Sequence, residues 1–211
     1  NTKYPNYNII VYSNGCEDGT VDYLNKLTEK HNNVQAILSD TNDVFVKPNN
    51  AMMLSNTTHD VVLVNNDVQV TEGWLEALVD EAYKSRAIGI VGSKILYPDN
   101  TLQEFGSELY STGSGMNIGK HGNPNDLEFM RSKKASYVSG CSMYIKRSTI
   151  NRIGVFDEIF HPCYAEDSDY CYSAWKKNIE VNVTPRSVIY HIEGASSGTD
   201  TSSGFKKFQN I

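Results

Sequence analysis

The 211-residue sequence has no apolar run near the roughly 20 residues that cross a bilayer. It also has no basic tract: 19 lysines and arginines are outnumbered by 25 aspartates and glutamates, for a formal charge of -6. The first absence argues against a transmembrane segment, the second against an electrostatic grip on nucleic acid. Cysteine is scarce; Cys16, Cys141, Cys163 and Cys171 show neither C-x-x-C spacing nor the density of a disulfide scaffold, so reduced thiols in a cytoplasmic protein are expected. No signal peptide precedes the two glycosylation sequons, Asn56-Thr57-Thr58 and Asn182-Val183-Thr184, which are read as chance matches. No Gly-rich, basic phosphate loop lies near the start, as a nucleotidyltransferase would need. Internal repeats and dividing linkers are absent too, and the length suits one domain with its own core. Asn1 is not an initiator, so the first residues read as the tail of something longer.

What is present alternates between two periods. "IIVYSNGCEDGT" is an apolar run ending in a Gly-rich turn, followed by helical spacing at Val21, Leu24 and Leu27 with Asp18 or Thr20 as cap. A strand at Val34 to Leu38 and a helix started near Pro48 come next. "VVLVNNDVQV" reads as a strand buried on both faces. In the helix after it Trp74, Leu75, Leu78, Val79 and Ala82 share one face, and Glu76, Asp80, Glu81 and Lys84 the other. This order predicts an α/β fold with a mainly parallel sheet. Further on come a strand and a turn at Pro98-Asp99-Asn100, a long surface excursion from about Tyr110 to Lys134, and alternation in "YVSGCSMYIKR". A helix in "AEDSDYCYSAWKKN" is closed by Asn178 in the left-handed conformation. Strands at Val181 to Val183 and Val188 to Tyr190 end at His191.

Three places carry chemistry. The strand of Val61 to Val64 stops at Asn65, Asn66 and Asp67, and the carboxyl ends of strands are where open α/β sheets bind ligands; Asn and Asp are also ordinary turn starters. In the helix from Glu166, Asp167 lines up with Tyr170, Cys171, Ala174 and Trp175, while Asp169 lines up with Tyr172, Ser173 and Lys176 toward solvent. Acids in a first turn complement the helix dipole, but a carboxylate beside an apolar wall also gains basicity by desolvation and suits a general base. His191 ends a strand beside Glu193 and "GASSG"; a lone histidine is more often structural than a ligand. Taken together, the carboxylate, amide and imidazole groups suit Mg2+ or Mn2+.

The segments "IIVYSNGCEDGT", "VVLVNNDVQVTEGWLEAL", "GIVGSKILYPDNTLQEFG", "YVSGCSMYIKRSTINRIGVFDEIFHPCYAEDSDYCYSAWKKN" and "VIYHIEGASSG" resemble, in order and spacing, the family 2 glycosyltransferases, inverting enzymes of the GT-A, nucleotide-diphospho-sugar transferase fold. The resemblance runs from about Asn6 to Ser197. It implies a single domain over 1–211, with a nucleotide-binding half at about 6–95 and an acceptor and catalytic half at about 96–211. Ser13, Asn14, Asp18, Asn50 and Asn66 would face the nucleotide. Asn65, Asp67 and His191 would hold Mn2+ or Mg2+, and Asp167, paired with Glu166, would be the base. The implied donor is a nucleotide-diphosphate-sugar, UDP- or dTDP-linked, and the acceptor a glycan, lipid or protein hydroxyl. The implied setting is cytoplasmic, including the cytoplasmic membrane face. The excursion from Tyr110 to Lys134 and the segment after His191 would form an acceptor side and a lid.

The sequence departs from the family pattern at three positions. Ser13 replaces an acid that bonds the base or ribose, Asn65 replaces the first acid of the metal motif, and Val44 replaces a glycine ahead of the helix containing Asn50. The family also begins with a strand and helix not found here, the strand lying between those at Ile9–Tyr12 and Val61–Val64. Either the natural chain is longer or something else fills that slot, and the longer chain is the expectation. The reading from another class is a non-catalytic module that binds nucleotide-sugars or glycans.

Overall fold

Every residue from Ile88 to Leu96 is buried, and the pleat divides them: Ile90 enters one apolar cluster and Val91 another. This strand lies mid-sheet with a core on each face. In a computed structural model that describes residues 1–192, the elements are β1 (Ile9–Asn14), α1 (Thr20–Lys30), β2 (Val34–Ser39), α2 (Val46–Ser55), β3 (Val61–Val64), β4 (Val68–Val70), α3 (Trp74–Tyr83), β5 (Ile88–Leu96), β6 (Leu102–Glu104), β7 (Ser107–Leu109), β8 (Gly115–Asn117), β9 (Lys133–Lys134), β10 (Ser142–Ile145), α4 (Arg147–Ile153), α5 (Glu166–Lys176) and β11 (Glu180–His191). The main sheet is ordered β3-β10-β5-β11-β4, with β6 on β5 and β9 on β11.

The α/β class stands, but the sheet is mixed rather than mainly parallel. β5 and β11 run parallel, as do β1 and β2 in a separate pair, whereas β10 is antiparallel to β3 and β5, and β4 to β11. The cause is the connection: β10 follows β5 through short hairpins rather than a crossover helix, so nothing obliges it to run parallel. Its residues are all buried where alternation was expected, because Met143 and Ile145 fill one core and Tyr144 the other.

Several local expectations need revision for similar reasons. Glu81, placed by helical period on the wet face of α3, is only 3% exposed. It accepts hydrogen bonds from Lys84 at the end of the same helix and from Ser132 and Asn182, the last two brought by distant segments. Asn182 is thereby buried inside β11, which argues against its sequon. The excursion after Tyr110 is anchored: Leu102 and Gly122, and Phe105 and Ile118, share backbone bonds, and Phe129 is buried. The two expected last strands form one, β11, with a register shift between Thr184 and Val188 that accommodates Pro185, which lacks an N–H. Asn178 does close α5 at φ +55: its N–H bonds the Trp175 carbonyl, and the Ile179 N–H bonds that of Ala174, a Schellman ending.

Among the described residues β1 pairs only with β2, and β3 only with β10. Both border one cleft, flanked by Pro48 and Met52 of α2 and by Leu75 and Val79 of α3. Hence β3 is not buried on both faces: Leu63 is, but Val64 is 43% exposed, and Ile9 of β1 41%. No described strand fills this gap. Residues 1–7 run past it, tied to the far side by Asn1 on the Val70 carbonyl and by Trp74 Nε1 on Thr2.

Val44, at a family glycine position, keeps a left-handed φ of +59. It is held by Asn14 Nδ2 on its carbonyl at 2.8 Å and by its own N–H on Asn42 Oδ1 at 3.0 Å. A β-branched residue is strained there. Val44→Gly is therefore expected to stabilise the fold by about 1 kcal/mol, strain relief outweighing the entropy that glycine adds to the unfolded chain, as a shift in urea midpoint. The unpaired edges of β1 and β3 lead to a second expectation: this polypeptide self-associates at micromolar concentration. Sedimentation velocity showing a monomer throughout would contradict it.

Candidate active site

The carboxyl ends of β1, β3 and β11, the turn Ser139–Ser142 and the start of α5 surround a cleft of about 1820 Å³. Asn14, Asn65, Asn66, Asp67, Glu166, Asp167 and His191 all line it, so most of the residues singled out from sequence do meet.

At one end Asp67 follows the turn closing β3. The Asn65 N–H bonds the Cys141 carbonyl at 3.1 Å, and the Val68 N–H bonds that of Asn65. His191 Nε2 lies 3.3 Å from Asp67 Oδ1, and its Nδ1 is 3.1 Å from Gln103 Oε1. A carboxylate oxygen otherwise buried without a hydrogen bond thus faces a ring nitrogen, two groups that can both ligate a cation.

At the other end α5 begins abruptly. Tyr164 and Ala165 both have left-handed φ, +81 and +69, a costly pair for non-glycine residues and of the kind that clusters at functional sites. Asp167 Oδ2 accepts the Gly140 N–H at 3.1 Å, and Oδ1 accepts the Ser168 N–H at 2.8 Å. Burial pushes the Asp167 carboxyl above its ordinary range against both bonds. Glu166 is 7% exposed and its Oε2 has no hydrogen bond; burial, then the Asp167 charge, pushes its carboxyl up.

A third acid went unread in the sequence. Glu104 of β6 is 3% exposed, lines the cleft and accepts the Ser139 N–H at 3.1 Å. Burial drives its carboxyl up to about 7, with a smaller contribution from Asp167 and against the pull of the Ser139 N–H. An acid inside the short strand β6, all three of whose residues are buried, was the available signal.

Three expected nucleotide contacts lie elsewhere. Ser13 is buried, with an unpartnered Oγ, and is not part of the cleft wall; it lies between Tyr12 and Asn14, which are, on the opposite side of the pleat. Asp18 is exposed and accepts the Thr20 N–H at 2.9 Å, an acid serving a free N–H at a helix start. Asn50 exchanges two bonds with the Phe156 backbone, at 2.8 and 2.9 Å, pinning α2. On α5, Tyr170, Cys171 and Ala174 are buried as expected, but Trp175 is 38% exposed, its Nε1 reaching the Ser136 carbonyl. Asp169 is half-buried and outside the cleft wall. Glu193 and the small residues after it, assigned to a lid, lie outside the described residues. All four cysteines are free thiols, and no described helix is long and apolar enough to cross a membrane.

A family model described as Glycosyl transferase family 2 matches residues 1–154. The chain is 26% identical over 216 residues to the O-antigen biosynthesis protein RfbC of Myxococcus xanthus, covering 94% of this chain and 16% of that protein. It is 26% identical over 157 residues to the N-acetylglucosaminyl-diphospho-decaprenol L-rhamnosyltransferase of Mycobacterium tuberculosis, covering 68% and 50%. It thus spans half or less of the length of these relatives. A solved structure of GalNAc-T7 with UDP, GalNAc and Mn2+ superposes with a TM-score of 0.71 at 12% identity, over 88% of this chain and 37% of that one, which shows a shared GT-A fold. With a family match over most of its length and a cleft at the strand ends of that fold, the chain belongs to glycosyl transferase family 2.

Proposed function

We propose that this chain transfers a sugar from a UDP- or dTDP-linked donor to a hydroxyl of a glycan, lipid-linked or protein acceptor, with inversion, in polysaccharide or glycan synthesis on the cytoplasmic side. The composition of the cleft carries this reading. Near the residues named above, its described wall includes the carboxylates of Asp67, Glu104, Glu166 and Asp167, and it has no lysine or arginine. A diphosphate there would meet repulsion and no compensating side chain, so its charge calls for a cation.

Asp67 and His191 fit that need, since one offers an unpaired buried oxygen and the other an aimed ring nitrogen. Carboxylate and imidazole suit Mn2+ or Mg2+, and the Asn65 amide would add a neutral oxygen. Among the described residues no group of three or more His, Cys, Asp and Glu side chains is arranged as a metal site, so diphosphate and water oxygens would complete the shell. Such an ion, when bound, supplies Lewis-acid stabilisation of the leaving diphosphate. Asn14 and Asn66 would border the nucleotide. Asp167 takes the acceptor proton as the hydroxyl oxygen attacks the anomeric carbon, and its two backbone N–H bonds hold the carboxylate for that transfer. Asn65 in place of an acid favours a second reading, a module that binds nucleotide-sugar without turnover.

The test is turnover of a panel of UDP- and dTDP-sugars beside calorimetric UDP binding with and without Mn2+. Asp67→Ala should abolish Mn2+-dependent UDP binding, and His191→Ala should weaken it less; unchanged binding in Asp67→Ala puts the ion elsewhere. Asp167→Asn should keep UDP binding and lower turnover by about 10²–10⁴-fold, with Asp169→Asn near parental. UDP binding with no turnover of any donor would favour the module. Because a base works deprotonated and burial raises the Asp167 pKa, parental turnover should fall as pH drops through a value above the ordinary aspartate range. A profile flat down to that range would exclude Asp167 as base.

A further inference from the structure

We propose that Glu104 is a positioning residue for the Asp167 carboxylate, acting through the turn at Ser139 and Gly140; this rests on the reading of Asp167 as the base. Two consecutive N–H groups of one turn are each held by an acid, one buried and one half-buried: Ser139 on Glu104 Oε1 and Gly140 on Asp167 Oδ2, both at 3.1 Å. The turn closes by the Ser142 N–H on the Ser139 carbonyl at 3.3 Å, so the plane of the peptide joining residues 139 and 140 fixes where the Gly140 N–H points. A glycine cannot hold such a plane by itself, since its backbone has more freedom than that of any other residue. It is therefore anchored from both sides. Upstream the anchor is Glu104, whose strand β6 is tied to β5; downstream it is the Cys141 carbonyl on the Asn65 N–H.

Withdrawing the Glu104 oxygen leaves the Ser139 N–H, which belongs to the preceding peptide, without its partner; the Ser139 end of the turn is then free to shift, and the plane that carries the Gly140 N–H tilts with it. The Gly140 N–H then swings off Asp167 Oδ2, and the base loses one of the two bonds that orient it. The function needs an acceptor at that point rather than a charge. A glutamine carries an equivalent oxygen at the same reach, an aspartate carries the charge one methylene short, and a leucine carries neither.

The experiment compares Glu104→Gln, Glu104→Asp and Glu104→Leu in the full 211-residue chain labelled with ¹⁵N-glycine. The Gly140 amide resonance is assigned by its loss in Gly140→Ala. Turnover is measured on the same UDP- and dTDP-sugar panel, and UDP binding with Mn2+ checks that each variant is intact. In Glu104→Leu and Glu104→Asp the Gly140 amide proton should move upfield, as in Asp167→Asn. Their kcat should drop by up to about 10²-fold with donor KM and UDP affinity unchanged. Glu104→Gln should match the parent in both readouts. Should Glu104→Leu fail to fold, the Asp and Gln pair decides by itself. A parental Gly140 resonance and kcat in Glu104→Asp overturns the proposal, as does a Glu104→Gln variant as impaired as Glu104→Asp, which would make charge the requirement. Parental turnover in Asp167→Asn instead overturns the reading of the base, while the Gly140 resonance still reports whether Glu104 sets the peptide plane.

Discussion

The hydrogen bond from Gly140 to Asp167 joins the two halves of the site. On one side of Gly140 the chain continues into β10, the strand that pairs β3 with β5. Its N–H meanwhile reaches the start of α5. A Cβ here would come within 2.9 Å of the Phe45 ring, so only bare backbone lets that ring, the turn and the helix approach so closely. The Cys141 carbonyl on Asn65 carries the same turn to the proposed metal end. The proposed base and the Asn65 side of the proposed metal site are thus both tied to one short stretch of main chain.

The site works against the stability of the fold. Burial raises the carboxyls of Glu104, Glu166 and Asp167. A group whose folded pKa lies above its unfolded value adds stability below the unfolded value and loses it as pH rises through the folded one. For Glu104 that loss runs from the ordinary carboxylate range up to about 7, where it is complete. Glu81 runs the other way: its bonds to Lys84, Ser132 and Asn182 hold its carboxyl below the ordinary range despite burial, so its contribution is present at neutral pH and lost on acidification. Two buried acids with opposite linkage therefore mark different duties, one in the cleft and one in the frame.

The sequence was informative where a single element decides the outcome. The period of α5 put Asp167 on the face of Tyr170, Cys171 and Ala174, and Asn178 ended the helix where a left-handed residue was expected. Asn65 to Asp67 followed β3 into the cleft for the same local reason. Legibility failed where distant segments meet. Glu81 is buried because Asn182 and Ser132 reach it, and Glu104 because the turn at Ser139 needs an acceptor; no spacing within α3 or β6 encodes either partner. Asn50 was expected to face the nucleotide, but its two bonds to the Phe156 backbone belong to packing, a partner 106 residues away that nothing near Asn50 encodes.

The gap between β1 and β3 has a mechanical side. Across the other strands of the main sheet, spacing is set by ladders of backbone bonds near 4.8 Å apart, a stiff coupling that side chains cannot stretch. The unit of β1, α1 and β2 has no such ladder to the rest among the described residues. It joins the rest through the loop after β2, which Asn14 holds by the Asp43–Val44 backbone and whose Phe45 N–H reaches the Pro162 carbonyl at 3.3 Å. Local opening is least costly where few cooperative bonds must break together. The width of the cleft beside β1 is therefore a softer coordinate than its width beside α5, and a ligand seated in the gap would act as the cross-brace that the sheet does not provide.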